Sequence, residues 1–289
     1  MVEPSLRSAL AYCVNQVRSF DYTNYIWSVQ LPKELRAPLI ALRAFNVELT
    51  QIPDNVRQEQ LMQIRMQWWR DAVKSAYTNK PQPNPVIQAL HATVAAVPHT
   101  QSHLLRMVST LEADYLRAQP PKSLDQLEQY AEGSSSQLLY LQGRVAGVGN
   151  QEYDHAASHL GKAVGIANLL RGTAYHAARR RCYLPSDLCM REGVSDEDVL
   201  RGQNTENVSN VVFQVATQAK GHLEEARALS GQIPGEAKPL MLPAVAVDLY
   251  LAALEKHDFN VFATQLQSGG FTPLWYQILV KYNLMLGKY

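Results

Sequence analysis

Hydrophobic residues recur along this chain at intervals of three and four, the spacing that places side chains on one face of a helix. In one segment Leu61, Ile64, Trp68 and Ala72 form a stripe of this kind. An adjacent stripe runs through Met62, Met66, Trp69, Val73 and Tyr77. Because two neighbouring stripes make an apolar face too wide for a surface helix, we predict that this helix is central and that its tryptophans belong to the core.

A second helix is predicted around residue 160, where small and apolar residues step by four and three. The stripe consists of Ala156, Leu160, Ala163, Ala167 and Leu170. Gly161 and Gly165 lie beside it, and their missing side chains would let another helix approach closely.

A third helix is predicted to begin at the sequence Ser123-Leu124-Asp125-Gln126, which reads as a capping box. It should carry Tyr130 and continue to the region of Gly143. We find no alternating run with a hairpin dipeptide beside it, so the pattern predicts an all-α fold. No break in composition divides the chain, and we expect a single domain over residues 1–289.

The composition of the chain argues against several classes of function. The chain has 289 residues, 46% of them hydrophobic, and a formal net charge of +1, which provides no long-range field to attract nucleic acid. Cys13, Cys182 and Cys189 have neither zinc-site spacing nor an even number for a disulfide framework. No run of eighteen uncharged apolar residues occurs, so we expect no transmembrane helix.

The segment from Asn168 to Pro185 is the most informative part of the sequence. Asn168-Leu169-Leu170-Arg171, the basic run that follows it and Tyr183-Leu184-Pro185 resemble a motif of the squalene/phytoene synthase family. Family members carry Asp-x-x-Glu-Asp between these parts, and its acids fall here on Gly172, Tyr175 and His176. The resemblance implies an isoprenoid-synthase-type helical bundle around a central cavity.

The first acidic motif of that family is also changed. Ala41-Leu42-Arg43-Ala44-Phe45 resembles the run that precedes it, and the motif Asp-Asp-x-x-Asp then falls on residues 50–54. Thr50 and Gln51 replace the first two acids, Asp54 keeps the last one, and Pro53 should interrupt the helix.

The missing acids bear on catalysis, since enzymes of this family join prenyl diphosphates and magnesium bridges the phosphates to carboxylates. We therefore predict a pseudoenzyme with no catalytic residue, no metal site and no cofactor. The resemblance implies a remnant pocket lined by Arg43, Thr50, Gln51, Asp54, Asn168, Gly172, Tyr175 and His176.

A closer resemblance is to the complex I (NADH dehydrogenase) assembly factor 6 subgroup of this superfamily. The segments that carry it include Asp21-Tyr22-x-x-Tyr25, residues 65–69 and residues 154–163. It implies a non-catalytic factor that binds complex I subunits or other assembly factors, at the matrix side of the mitochondrial inner membrane. The first residues, Met1-Val2-Glu3-Pro4-Ser5, do not form an Arg-rich presequence.

Two polar clusters have competing interpretations. Arg179, Arg180 and Arg181 could contact an anion, a lipid head group or an acidic partner, or could stabilise the carboxyl end of the preceding helix. His155 and His159 have the i, i+4 spacing of metal ligands, but without a visible third ligand we interpret them as structural.

The last helix, predicted from Pro273 onward, is rich in apolar and aromatic residues. Leu274, Trp275, Ile278, Leu279, Tyr282 and Leu286 are expected on one side. This side could lie in a membrane interface as a peripheral contact, or it could close the bundle, which we favour.

Three functions remain open at this stage. The first is the assembly factor, which we favour; the second is a prenyl diphosphate transferase with a reworked site. The third is an isoprenoid- or lipid-binding protein that uses the inherited cavity. An open apolar tunnel in the structure would favour lipid binding, whereas a filled one would favour assembly.

Overall fold

The computed structural model describes residues 4–56, 58–267 and 270–289, without the side chain of Pro4. Helices account for most of these residues, and the described ranges contain no β-strand. The prediction of an all-α fold is confirmed. The α-helices, in chain order, are α1 (Pro4–Phe20), α2 (Tyr22–Ser28), α3 (Lys33–Thr50), α4 (Ile52–Asn55), α5 (Glu59–Ser75), α6 (Pro85–Val94), α7 (Thr100–Tyr115), α8 (Leu124–Ala131), α9 (Gln137–Val145), α10 (Gln151–Arg171), α11 (Thr173–Ala177), α12 (Ser186–Arg191), α13 (Asp196–Leu200), α14 (Glu206–Ala228), α15 (Pro243–Lys256), α16 (Thr264–Gln267) and α17 (Pro273–Leu286).

Helix α10 occupies the centre of the bundle and packs against α8, α9, α14 and α15. Its predicted stripe is buried throughout, and Asn150 caps its first turn by accepting a hydrogen bond from Tyr153 N at 2.8 Å. A β-carbon on Gly161 would lie 2.4 Å from the Cα of Ser136, and one on Gly165 would lie 2.5 Å from the Cβ of Ala131. The close approach predicted from these two glycines is therefore confirmed, and the helix that approaches is the one carrying Tyr130.

That helix is interrupted by a π-helical turn, Glu132–Ser136, which joins α8 to α9. The helix begins at Leu124, as predicted, but the expected capping box is wrong in detail, because the Ser123 side chain makes no capping hydrogen bond. The Gln126 side chain instead accepts a hydrogen bond from Lys122 N at 2.7 Å. A π-turn commonly marks a functional position in a helix, and this one faces the cavity described below.

The prediction that α5 is central is wrong. Met66 and Trp69 are buried and Trp69 packs edge-on to Phe45, but Leu61 and Ile64 are more than half exposed. The stripe through Met62 and Met66 faces the core, whereas the stripe through Leu61 and Ile64 turns to solvent at its start, because α5 lies at the edge of the bundle on α7. Farther along the latter stripe Ala72 is buried and Trp68 is partly buried against the core.

Two hydrophobic clusters form the core, one built around α10 and α14 and the other around α3, α6 and α7. They meet along α9, where Leu139 belongs to the first cluster and Leu138 and Leu141 to the second. In the described ranges, no single helix is long and apolar enough to span a bilayer. The 3-10 helix Gly235–Met241 and α15 reach that length and composition only as a pair bent by 41°.

Candidate functional site

A cavity of about 380 Å³ lies between the end of α3, α4, the π-turn, α10 and α11. It contains most of the residues predicted for the remnant pocket and two of the three arginines. The predicted residues that line it are Thr50, Gln51, Asp54, Asn168, Tyr175, His176, Arg179 and Arg181.

Two breaks in the helices place these residues together. Helix α3 ends at Thr50 and α4 restarts at Ile52 with Pro53 in its first turn, so the predicted interruption is confirmed. Helix α10 ends at Arg171, and α11 begins at Thr173 after Gly172. Each break turns the chain at the mouth of the cavity, which brings Asp54 of α4 close to Tyr175 of α11.

The mouth of the cavity is bridged by side chains, and we call Asp54, Tyr175 and Arg179 the mouth cluster. The Tyr175 hydroxyl donates a hydrogen bond to the Asp54 carboxylate. Arg179 donates from Nε to the same carboxylate oxygen at 3.2 Å, and its guanidinium stacks 3.7 Å from the centre of the Tyr175 ring. Partial burial, with the Asp54 contact, raises the pKa of Tyr175 to about 12. One oxygen of the remaining acid of the first motif is thus bonded to groups of the protein itself.

His176 fills space below this cluster. Its ring lies 4.6 Å from that of Tyr183, and a β-carbon on Gly172 would approach its Nε2 to 2.8 Å. Burial, together with the positive charge of Arg181, lowers the pKa of His176 to about 4, so the ring is neutral at pH 7.

A second carboxylate, Asp114, lines a neighbouring cavity behind Tyr183, and we call Asp114, Arg117, Arg181 and Tyr183 the inner cluster. The Asp114 side chain is 4% exposed and accepts hydrogen bonds from Tyr183 Oη at 2.6 Å and Arg117 at 2.8 Å. Arg181 contacts the same carboxylate at 3.3 Å and also donates to the Asp114 backbone oxygen at 2.7 Å. Both guanidinium groups lie over the Tyr183 ring, at 5.5 and 5.4 Å. The inner cluster therefore ties α7 to the segment that follows α11.

Tyr130 and Tyr183 separate this cavity from a second one of about 290 Å³, since both side chains line both spaces. Their ring centres are 6.4 Å apart. Tyrosine, histidine, arginine and serine side chains line the space together with Phe20, Leu111 and Leu169, so it is a cavity of mixed polarity with a divided interior rather than a continuous apolar tunnel.

Comparisons with known protein families and sequences identify the family to which this helical fold belongs. The squalene/phytoene synthase family model matches residues 17–272. The chain belongs to the squalene/phytoene synthase family. It is 40% identical over 264 residues to complex I assembly factor 6 of Rattus norvegicus, covering 91% of this chain and 79% of the rat protein. It is 42% identical over 256 residues to the factor of the same name from Bos taurus, covering 89% and 77% of the two chains.

A solved structure confirms the predicted isoprenoid-synthase fold. Squalene synthase HpnC from Alicyclobacillus acidocaldarius superimposes with a TM-score of 0.78 at 20% identity, covering 90% of this chain and 97% of the other. At that identity the likeness concerns the fold, and the chemistry of this chain has to be argued from its own residues.

Two residues predicted for the pocket, Arg43 and Gly172, do not line the cavity of this family member, and neither does Arg180 of the basic run. Arg43 is 5% exposed; it pairs with Asp21 at 3.1 Å and lies 5.0 Å from the centre of the Trp27 ring, and burial lowers its pKa. Gly172 lies behind His176 rather than at the surface of the cavity. Arg180 has a φ of 59°, which turns it outward to pair with Glu197 at 3.0 Å.

The histidines at i, i+4 belong to a different surface. His155 and His159 have ring centres 5.3 Å apart, and His159 Nδ1 lies 3.0 Å from Nδ1 of His222 on α14, a neighbour the sequence pattern did not indicate. Among the residues that the structure describes, no group of three or more His, Cys, Asp or Glu side chains is placed to hold a metal.

Several residues of the cavity were missed from the sequence. The most important is Tyr115, whose hydroxyl donates to the Leu49 backbone oxygen at 3.0 Å, and its neighbour Asp114 on the second cavity was missed as well. Tyr183 was noticed only as part of the Tyr-Leu-Pro motif, which gave no indication of a buried acid 69 residues away. Ser134 and Ser135 reach the cavity because of the π-turn, which the helical pattern does not reveal.

Proposed function

We propose that this chain is a non-catalytic assembly factor for mitochondrial respiratory complex I. In this role it binds complex I subunits or other assembly factors while associated peripherally with the matrix side of the inner membrane. Support for the assembly role comes from the rat and bovine relatives, whose names state it and whose similarity extends over about nine tenths of this chain.

The observation that carries the non-catalytic part of the proposal is the mouth cluster. A diphosphate held through magnesium needs free carboxylate oxygens on both sides of the cavity. The first motif supplies a single acid, Asp54, and its Oδ1 already accepts from a tyrosine hydroxyl and a guanidinium. At the second motif, Tyr175 and His176 supply an aromatic hydroxyl and a neutral ring, neither of which is a usual ligand of a hard cation.

The form of the cavity favours assembly over lipid carriage. A prenyl chain needs a long apolar channel, whereas Tyr130 and Tyr183 divide this space and polar groups line both parts. The remnant pocket is accordingly proposed as a structural element that supports the binding surfaces of the bundle.

Complementation tests the assembly role directly. The chain, fused to a matrix-targeting sequence, would be expressed in human cells whose own assembly factor 6 has been deleted. We expect assembled complex I to return on native gels, with wild-type chain and with Asp54→Asn alike. If the folded chain reaches the matrix and no complex I assembles, the proposed role is wrong.

The absence of catalysis needs a separate measurement. Purified chain would be given farnesyl or geranylgeranyl diphosphate with magnesium, beside an active synthase, and both pyrophosphate and lipid products would be measured. We expect no turnover by this chain. Magnesium-dependent product would show that it is an enzyme and would direct attention to acids outside the two motifs.

A further inference from the structure

Helix α17 presents an apolar face that the rest of the described chain does not cover. Tyr276 and Val280 are buried against the bundle, but most of the other large side chains point outward. The apolar residues that are 48–78% exposed are Leu274, Trp275, Ile278, Tyr282, Met285 and Leu286. The expectation that the apolar side of this helix closes the bundle is therefore wrong, since only Leu279 of the predicted set packs inward.

These residues form one continuous surface, which we call the α17 face. Leu274, Ile278, Tyr282 and Met285 follow one another at intervals of four, four and three, so they lie along one side of the helix. Trp275 and Leu286 widen the same side. A contiguous apolar patch of this kind on a folded protein marks an interaction surface rather than scattered exposure.

The helix is held firmly at both ends, so the α17 face is a fixed feature of the fold. Thr272 caps its first turn by accepting from Trp275 N, and Tyr276 packs against Phe271 with ring centres 5.2 Å apart. Beyond its last turn, the Tyr289 hydroxyl donates to the Ala226 backbone oxygen at 2.8 Å, and Arg227 donates to the Tyr289 backbone oxygen at 2.9 Å.

The charge of the region indicates what the face contacts. From Phe259 to Tyr289 the sequence contains no aspartate, glutamate, arginine or histidine, and Lys281 and Lys288 are its charged side chains. Lys281 is exposed on α17, one turn from Ile278 and Met285. An apolar helix face whose own segment carries lysine and no acid, and which has Trp and Tyr among its side chains, complements an anionic bilayer surface.

We propose that the α17 face is a membrane-docking surface that inserts its apolar side chains shallowly into an anionic bilayer while Lys281 contacts head groups. The inference rests on the peripheral membrane placement in the proposed function. Its test uses vesicles and purified protein, so it can fail while complex I assembly in cells is restored, and the two outcomes are distinguishable.

The test is flotation of the full chain with phosphatidylcholine vesicles, with and without phosphatidylglycerol and cardiolipin. The variant Ile278→Gln/Met285→Gln should bind anionic vesicles about tenfold or more weakly than wild type. Its matched control is Ile64→Gln/Met190→Gln, which replaces an equally exposed isoleucine and methionine on α5 and α12 and should bind as wild type does. Equal binding by the α17 variant, or no binding by wild type, would overturn the proposal.

The electrostatic part is tested by charge reversal. Lys281→Glu should weaken binding to anionic vesicles by about tenfold and leave any binding to neutral vesicles unchanged. Lys80→Glu, at an exposed position after α5, is the control and should have no effect. Equal losses in the two variants would mean that net charge, not the α17 face, governs binding, and would overturn the proposal.

A second copy of the chain is the competing occupant of this face. Light scattering without vesicles decides between them: we expect a monomer for wild type and for Ile278→Gln/Met285→Gln. A wild-type dimer that the double variant abolishes would make the face a self-association surface and overturn membrane docking.

Fluorescence quenching tests whether Trp275 enters the bilayer. We expect brominated lipid to quench the tryptophan fluorescence of wild type, and we expect Trp275→Phe to lose this quenching while it still floats with the vesicles.

Discussion

The mouth cluster and the inner cluster use the same three kinds of group in two different surroundings. In each, one carboxylate accepts from a tyrosine hydroxyl and pairs with arginine, and an arginine lies over the tyrosine ring. The Asp54 side chain is 36% exposed, whereas that of Asp114 is 4% exposed. The two clusters therefore contain nearly the same chemical groups but differ in the burial of their carboxylates.

The difference in burial assigns different roles to the two clusters. Water can replace the partners of Asp54 and screens its charge, so the mouth cluster contributes little to stability. Asp114 has no such substitute, because loss of its carboxylate would leave the buried Tyr183 hydroxyl without an acceptor and would remove the charge that pairs with Arg117 and Arg181. The inner cluster stabilises the fold, and the mouth cluster covers the entrance of the cavity.

The largest effect is expected from Asp114→Asn. It removes the negative charge that faces Arg117 and Arg181, and we expect the free energy of unfolding to fall by about 3 kcal/mol. Urea unfolding followed by circular dichroism would measure it. Asp125→Asn, at an exposed position of α8, is the control and should change stability by less than about 0.5 kcal/mol. Equal losses in the two variants would contradict the role of burial in this comparison.

The next effect concerns pH and His176, which lies between the two clusters. Its pKa is about 4 in the folded protein and near 6.5 when unfolded, so the unfolded chain binds a proton that the folded chain excludes. The neutral ring's contribution is complete above pH 6.5 and is lost as the pH falls towards 4. We expect His176 to account for about 2–3 kcal/mol of lost stability over that interval.

Unfolding free energies of wild type and His176→Gln at a series of pH values would measure this contribution. The variant should lose less stability than wild type between pH 6.5 and 4. His99→Asn, at an exposed turn position, should follow the wild-type curve. Parallel curves for wild type and His176→Gln would show that the ring is not excluded from protonation in the fold.

The sequence predicted the helices and the helix break around this site better than the buried side chains inside it. Helix periodicity and the glycines of α10 indicate an all-α bundle with one close helix pair, and Pro53 marks the break that exposes Asp54. These are local signals, carried by residues within a few turns of one another. Asp114 depends on partners 67 and 69 residues away, and no local pattern distinguishes it from a surface acid. The α5 error has the same origin, because periodicity identifies an apolar stripe without indicating whether another element covers it.

A pair of tyrosine variants compares the two clusters through their hydroxyls alone. Tyr183→Phe removes a buried donor to Asp114, and we expect the free energy of unfolding to decrease by about 1–2 kcal/mol. Tyr175→Phe removes the equivalent donor at the half-exposed mouth, and about 0.5 kcal/mol or less is expected. Thermal or urea unfolding of both variants beside wild type measures the two losses. A larger loss for Tyr175→Phe would reverse the proposed division of roles.

The smallest effect is expected from Asp54→Asn, which should change the free energy of unfolding by less than about 1 kcal/mol. Because Asp54 and Arg179 are both partly exposed, that difference should shrink further in about 1 M salt, where exposed charges are screened within a few ångströms. The loss caused by Asp114→Asn should persist at the same salt concentration, since water and ions reach its carboxylate poorly. Unfolding curves of the two variants at low and high salt measure both trends. Equal sensitivity to salt would mean that the mouth cluster is as shielded from solvent as the inner one, which would contradict the difference in burial on which their separate roles depend.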